Sequence, residues 1–446
     1  MSRDRPSSPE PAVAPQIVDA IVLGAGITGL VSASILVDQG TPRTLVVDEY
    51  GHIGGNHIDV TIGPYTFDIG SLIFQDDSPL LTHFPELLPH YQPIKPTWAK
   101  LNPQGKITRY PFSMTDDFLS AGVIDCARML ASVARARIRR RKPDNAGDFA
   151  KYWLGARFLH RSGLDSYMER FCGLPIDRID LKFAEKRMGW ISEHARLIEQ
   201  ARRLVASRRA SLVNKATNEQ LARPRSGFAE LYRPAATRLE QHGVTFVLNA
   251  ELTRLRRVDS EFEMQLGDRR VRAPRVISTI PIDRARELCG FSAGSPLPSV
   301  TLITLFFSYS GRRGFSESVL YNFSHDGAWK RLTMYSDFYG RAAGREYFAV
   351  EVLADRAAHD VERAAADFRA HTKANALFEG DLELIGSHLL RHAYPIYTEG
   401  SGDRAEAAIA QLRDFGLESF GRQGGFQYQP TARVSTLEAE AALRQR

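Results

Sequence analysis

The chain's clearest chemistry lies in a six-residue turn, Gly24-Ala25-Gly26-Ile27-Thr28-Gly29, and in an acid, Asp48, nineteen residues beyond it. A turn of this composition suits the capture of a pyrophosphate. Gly24 permits the tight bend, Gly26 lets the backbone approach the phosphates, and Gly29 lets the next helix pack close to the preceding strand. Ile27 and Thr28 stand at the helix entrance, where free amides and the positive dipole end face an anion. Asp48 lies where a carboxylate can accept hydrogen bonds from a ribose diol. A second glycine pair follows in Asp48-Glu49-Tyr50-Gly51-His52-Ile53-Gly54-Gly55-Asn56. NAD needs no second close backbone approach at that point, whereas the longer FAD does. A bound dinucleotide is therefore expected, with FAD preferred to NAD.

Little else in the sequence could act alone. There is no His-Glu-x-x-His, no Gly-x-Ser-x-Gly and no Cys/His cluster at metal spacing, so no metal is expected. His57, His83, His90, His325 and His392 stand singly, and a lone histidine is most often structural. Cys126, Cys172 and Cys289 lie far apart, which suits a reducing compartment and argues against a disulfide framework. The bound cofactor is expected to carry the reaction while the protein binds, orients and desolvates.

These motifs need elements to hold them. Val18–Leu23 reads as an apolar strand, Leu30–Gln39 as a helix and Thr44–Val47 as a second strand ending at the acid. A length of 446 residues, 43% hydrophobic and 25% charged, suits two connected globular domains. The net charge of +6 fits an anionic substrate, a nucleotide or an acidic membrane surface equally well. Much of that excess sits in Arg135–Lys142, read as a solvated helix end, with a docking patch for anionic lipid or a carrier protein as the alternative. Met1–Gln16 reads as a disordered tail rather than a signal peptide, and no apolar run reaches the length of a membrane span. A cytoplasmic protein is expected.

Residues 18–56 resemble the FAD-binding segment of the glutathione-reductase-type flavoproteins. His52–Asn56 is similar to the form in UDP-galactopyranose mutases, within the branch that also holds protoporphyrinogen oxidases, phytoene desaturases and amine oxidases. Further motifs extend the resemblance: Phe67-Asp68-Ile69-Gly70-Ser71-Leu72, Tyr110–Met114, Gly227-Phe228, Ser278-Thr279-Ile280-Pro281, Tyr394-Pro395-Ile396-Tyr397 and Gly421–Tyr428. It implies that Gly70, Ser71 and Leu72 run beside the flavin ring and that Leu252 contacts adenine through its main chain. It also implies that Thr279, Gly421 and Arg422 return to the cofactor, completing a set with Glu49, Gly54, Gly55 and Asn56. Two departures stand out. Leu72 replaces a histidine of the mutases and many oxidases, and Pro430-Thr431 replaces the mutases' Asp-Met.

The implied fold is α/β. A Rossmann-type FAD-binding domain is assembled from 17–95, 224–290 and 400–446, after a tail at 1–16. A helical insert occupies 96–223 and a mixed-sheet substrate domain 291–399. The insert reads as helices Asp116–Arg137, Ala146–Leu159, Leu164–Phe171 and Ala184–Arg209. Ala229–His242 and Ala432–Arg444 read as helices of the cofactor domain, and Val244–Leu248 and Val271–Ile280 as its strands. The substrate domain reads as strands Thr301–Tyr309, Ser318–Phe323, Arg331–Ser336, Glu346–Leu353 and Leu382–Leu390, with helix Ala357–Leu377.

The expected function is an FAD-dependent oxidoreductase moving hydride from a small-molecule substrate to flavin N5. One alternative is a mutase-like enzyme that acts on a sugar nucleotide through a reduced-flavin adduct, with NAD(P)H as reductant. Another is a non-catalytic dinucleotide-binding partner subunit. Arg331, Tyr394, Tyr397, Arg422 and Tyr428 are the substrate-binding candidates, because a guanidinium fork matches phosphate oxygens. No nucleic-acid partner is expected, and the oligomeric state stays open.

Overall fold

The computed structural model describes residues 14–70, 72–111, 114–138, 143–181, 219–292 and 294–444. Most of the N-terminal tail, Ser71, the end of the basic run and the helix read at Ala184–Arg209 lie outside the described residues.

The cofactor layer is a parallel five-stranded sheet in the order Thr245–Val247, Thr44–Val47, Ala20–Leu23, Arg275–Ser278 and Glu418–Ser419. Ala20–Leu23 and Thr44–Val47 are buried at every position, as parallel strands covered on both faces must be. The helix between them, Ile27–Asp38, is buried from Ile27 to Leu36. Its Gly, Ser and Ala positions allow close neighbours, and Ala432–Arg444 packs along it, with Gln39 Nε2 donating to the Leu443 carbonyl at 3.2 Å.

The strand read as Val271–Ile280 divides at Pro274, which has no N–H to continue a ladder. Arg269–Ala273 joins a four-stranded sheet with Glu261–Leu266, Leu252–Val258 and Gln16–Ile17, while Arg275–Ser278 joins the parallel sheet. The helix read as Ala146–Leu159 also divides, into Ala146–Leu154 and Ala156–Arg161. Gly155 between them has φ +75°, and a Cβ there would lie 2.8 Å from the Val133 amide.

A seven-stranded sheet forms the second wall. Its order is Phe378–Pro395, Ser299–Arg313, Glu346–Leu353, Trp329–Met334, Val319–Asn322, Trp98–Leu101 and Ile107–Arg109. The last two strands come from the stretch expected to open the helical insert. Helix Val361–Ala374 covers one face through Phe368, which packs with Phe307, Phe348 and Trp329. Helix Leu164–Cys172 reaches the other face, where Tyr167 stacks on Phe323 at 4.4 Å.

Candidate functional site

Between the parallel sheet and the large sheet lies a cavity of about 940 Å³. Gly24, Gly26, Ile27, Thr28, Asp48, Glu49, Gly54, Gly55, Asn56 and Thr279 line one part of it. Gly24 has φ +104°, and a Cβ there would strike the Thr279 hydroxyl; a Cβ on Gly29 would strike the Gly24 carbonyl. The second glycine pair has a packing role as well as an exposed one. Gly54 donates to the Ala25 carbonyl at 2.9 Å, and a Cβ on Gly55 would lie 3.0 Å from Gly26 Cα. Two glycine turns from separate strand ends thus meet backbone to backbone. Gly26 itself is roomier, since a Cβ there would find only Gly55 atoms, the nearest at 3.7 Å.

Asp48 is tied into this framework. Its Oδ2 accepts from the Ala25 amide at 2.6 Å and its Oδ1 from the Tyr50 amide at 2.8 Å. Burial pushes its carboxyl above the usual range, against the pull of those two amides. Glu49 pairs with Arg284 at 2.5 Å. Arg284 also donates to the Leu252 carbonyl at 2.7 Å, and the Leu252 amide donates to Ala250. Leu252 does not line the cavity, and its amide and carbonyl each make a bond within the protein. Gly29 and Gly421 likewise pack behind the lining; a Cβ on Gly421 would lie 2.7 Å from a Thr28 methyl.

Gly70 (φ +111°) and Leu72 border the middle of the cavity, and Ser71 lies outside the described residues. Tyr335 fixes this passage by donating to the Gly70 carbonyl at 2.5 Å. His57 lines the cavity but bonds the Tyr232 hydroxyl at 2.5 Å, and burial pushes its imidazole down to about 3. It stays neutral and structural at physiological pH.

The far part of the cavity is made of side chains. The pairing of Trp329–Met334 with Glu346–Leu353 slips by one residue, so Trp329 faces Val352 while Arg331 faces Glu351. This bulge puts Lys330 and Arg331, consecutive residues, against the same carboxylate. Lys330 Nζ lies 2.8 Å from Glu351 Oε2, and Arg331 Nε donates to Glu351 Oε1 at 2.8 Å. Burial alone would raise the Glu351 carboxyl, but Arg331 and then Lys330 overwhelm it and hold it near about 2. Lys330 also donates to the Tyr394 hydroxyl at 3.2 Å, and Tyr394 donates to the Phe171 carbonyl at 2.6 Å. Tyr110 stacks on Tyr321 with ring centroids 4.0 Å apart, and Tyr428 meets Tyr394 edge-on.

Arg422 enters from the C-terminal turn. It donates to the Ala393 carbonyl at 2.5 Å and to the Gln429 carbonyl at 3.3 Å, while its Nε is buried without a partner. Among the described residues no carboxylate pairs with it, and burial lowers its guanidinium from the ordinary value. Tyr397 falls off the lining. Its hydroxyl donates to the Phe426 carbonyl at 2.6 Å and accepts from the Tyr428 amide at 2.9 Å, so it braces the turn that carries Tyr428.

Of the five substrate candidates, Arg331, Tyr394, Arg422 and Tyr428 line one cavity and Tyr397 supports it. Sequence reasoning missed Lys330, Glu351 and Tyr321. In a regular strand Lys330 and Arg331 point to opposite faces, and nothing in the sequence announces the bulge.

A dinucleotide fits the residues present. The cavity volume suits a large cofactor, the open side of Gly26 offers backbone amides, and Arg422 holds a donor without a protein acceptor. Residues 22–86 match the NAD(P)-binding Rossmann-like domain family. Over 97% of this chain and 95% of the other, the structure is similar to reduced UDP-galactopyranose mutase, with TM-score 0.73 and 17% identity. A candidate protoporphyrinogen oxidase from Exiguobacterium sp. 255-15 gives 0.71 at 15% identity, over 96% of this chain and 98% of that one. Putrescine oxidase gives 0.57 at 16% identity, over 97% of this chain and 99% of the other. The chain therefore shares its overall fold with these three proteins. No described helix is long and apolar enough to cross a membrane.

Proposed function

We propose that the chain is an FAD-dependent oxidoreductase acting on a small molecule held against Lys330, Arg331, Tyr394, Arg422 and Tyr428. One observation carries this reading: a single cavity joins the dinucleotide turns at one end to a buried group of cations and phenols at the other. FAD, when bound, supplies two-electron chemistry at its ring. The chain's own residues do the rest. The turns at Gly24–Gly29 and Gly54–Gly55, with Asp48, hold a dinucleotide in place. Tyr110, Tyr321, Phe171 and Tyr394 exclude water, and Lys330 fixes the Tyr394 hydroxyl by donating to it. Glu351 offsets part of the positive charge, leaving the far end attractive to an anionic group.

That charge balance favours a second reading. Among the described residues of the far end, three cations line the cavity with one carboxylate: Glu351 pairs with Lys330 and Arg331, and Arg422 keeps its charge uncompensated, which suits a diphosphate. A mutase-like turnover of a sugar nucleotide would use that excess. The deciding experiment is the visible spectrum of purified protein, identification of the released cofactor, and anaerobic addition of donors. Released FAD and bleaching by an organic donor support the oxidoreductase. Bleaching by NAD(P)H alone, with the reduced spectrum then perturbed by a nucleotide sugar, supports the mutase-like reading. A colourless protein that takes up no FAD overturns both.

A further inference from the structure

We propose that His160, Asp165 and His325 form a surface site for a divalent transition-metal ion of the zinc type, pinning the helical region to the large sheet. One ligand atom from each of the three residues lies within 4.8 Å of the others. His160 Nδ1 and Asp165 Oδ2 are 2.9 Å apart, and the His160 and His325 rings stack at 4.2 Å. Neighbouring ligands around a tetrahedral zinc sit roughly 3.3 Å apart, so rotation of exposed side chains closes the set. Two imidazoles and one carboxylate suit zinc better than calcium or magnesium, which take oxygen ligands. Water completes the coordination, because both histidines are exposed.

The support around the three ligands argues for a built site. Ser166 serves two of them: its amide donates to Asp165 Oδ1 at 2.8 Å, so Oδ2 is the oxygen turned to His160 Nδ1, and its hydroxyl bonds His325 Nδ1 at 2.8 Å. An ion would replace the proton shared between Oδ2 and His160. A hydrogen bond to one ring nitrogen orients the other for a metal. The turn bearing His325 is held by Arg170, a buried residue of the helix that also bears Asp165. Its guanidinium donates to the carbonyls of Gly327, Ser324 and Asp326 at 2.6, 2.7 and 2.7 Å. His325 is therefore fixed relative to Asp165 before any ion arrives, although the two lie far apart in sequence. The ligands come from helix Ala156–Arg161, helix Leu164–Cys172 and the turn after Val319–Asn322. An ion there ties together the elements that carry Tyr167 and Phe323.

The test uses untagged full-length protein stripped with chelator and titrated calorimetrically with Zn²⁺. One ion per chain is expected to bind, with affinity falling at least tenfold in His160→Ala and in His325→Ala. His359→Ala removes another exposed histidine, paired only with Asp355, and should change nothing. Zn²⁺ should raise the wild-type melting temperature by a few degrees and leave both site variants unmoved. The ligand histidines are exposed, so the metal-free variants should melt like wild type. Absence of stoichiometric binding overturns the proposal, as does binding that survives in both variants.

Discussion

The two ends of the cavity are made of different material. The dinucleotide end is backbone: two glycine turns in contact, with Asp48 accepting from the Ala25 and Tyr50 amides. The far end is side chain: three cations, two of them brought together by a bulge, one carboxylate and a wall of phenols. Backbone sites constrain residue type tightly, because each glycine answers a steric demand. Side-chain sites constrain geometry, which many sequences could meet.

Substitutions at two glycines should separate packing from ligand approach and give the largest effect. Gly29→Val drives a side chain into the Gly24 carbonyl and should leave little soluble folded protein, read by expression and circular dichroism. Gly26→Val meets less of the protein itself and should fold but retain no flavin, read by the absorbance of the purified protein. Retention of FAD by Gly26→Val would break the distinction.

At the far end, Glu351→Gln leaves Lys330 and Arg331 buried without their counter-charge, and should cost about 3–5 kcal/mol in chemical denaturation. The pH dependence carries a definite sign. Glu351 is held near about 2 when folded against 4.5 otherwise, so its contribution is full above pH 4.5 and is lost as pH falls from 4.5 towards 2. Glu351→Gln should flatten that acid limb.

Arg422→Met removes a cation without a carboxylate partner but also its bonds to the Ala393 and Gln429 carbonyls, so stability should fall by about 2–4 kcal/mol. Retention of an anionic ligand, measured by equilibrium dialysis, should fall about tenfold or more. The smallest effect belongs to Tyr397→Phe, which loses the bonds to Phe426 and Tyr428 and should cost about 1 kcal/mol while leaving substrate affinity nearly unchanged.

This contrast also explains what the sequence disclosed. The turn at Gly24–Gly29, Asp48 and the strands around them were legible because steric necessity wrote them into residue types. The Ala432–Arg444 helix was legible from the turn-and-helix pattern that the resemblance implies, and Glu346–Leu353 from its β-branched and aromatic residues. Lys330 was hidden because a bulge leaves no compositional mark. Tyr397 and Leu252 lie off the lining for a related reason: motif order identifies a segment, whereas burial decides which of its residues border the cavity. Trp98–Leu101 and Ile107–Arg109 were assigned to the helical insert because their sheet partner, Val319–Asn322, is distant in sequence.

The packing of Ala432–Arg444 along Ile27–Asp38 bears on synthesis. Helix Ile27–Asp38 leaves the ribosome about 400 residues ahead of its cover, Ala432–Arg444. At roughly 5–20 residues per second, that interval lasts on the order of 20–80 seconds. During it, the glycine turn stands without Arg422, and one side of a helix that is buried from Ile27 to Leu36 in the folded protein waits for its partner. Until its cover is made, that face of the helix has only transient contacts within the growing chain to keep it from water.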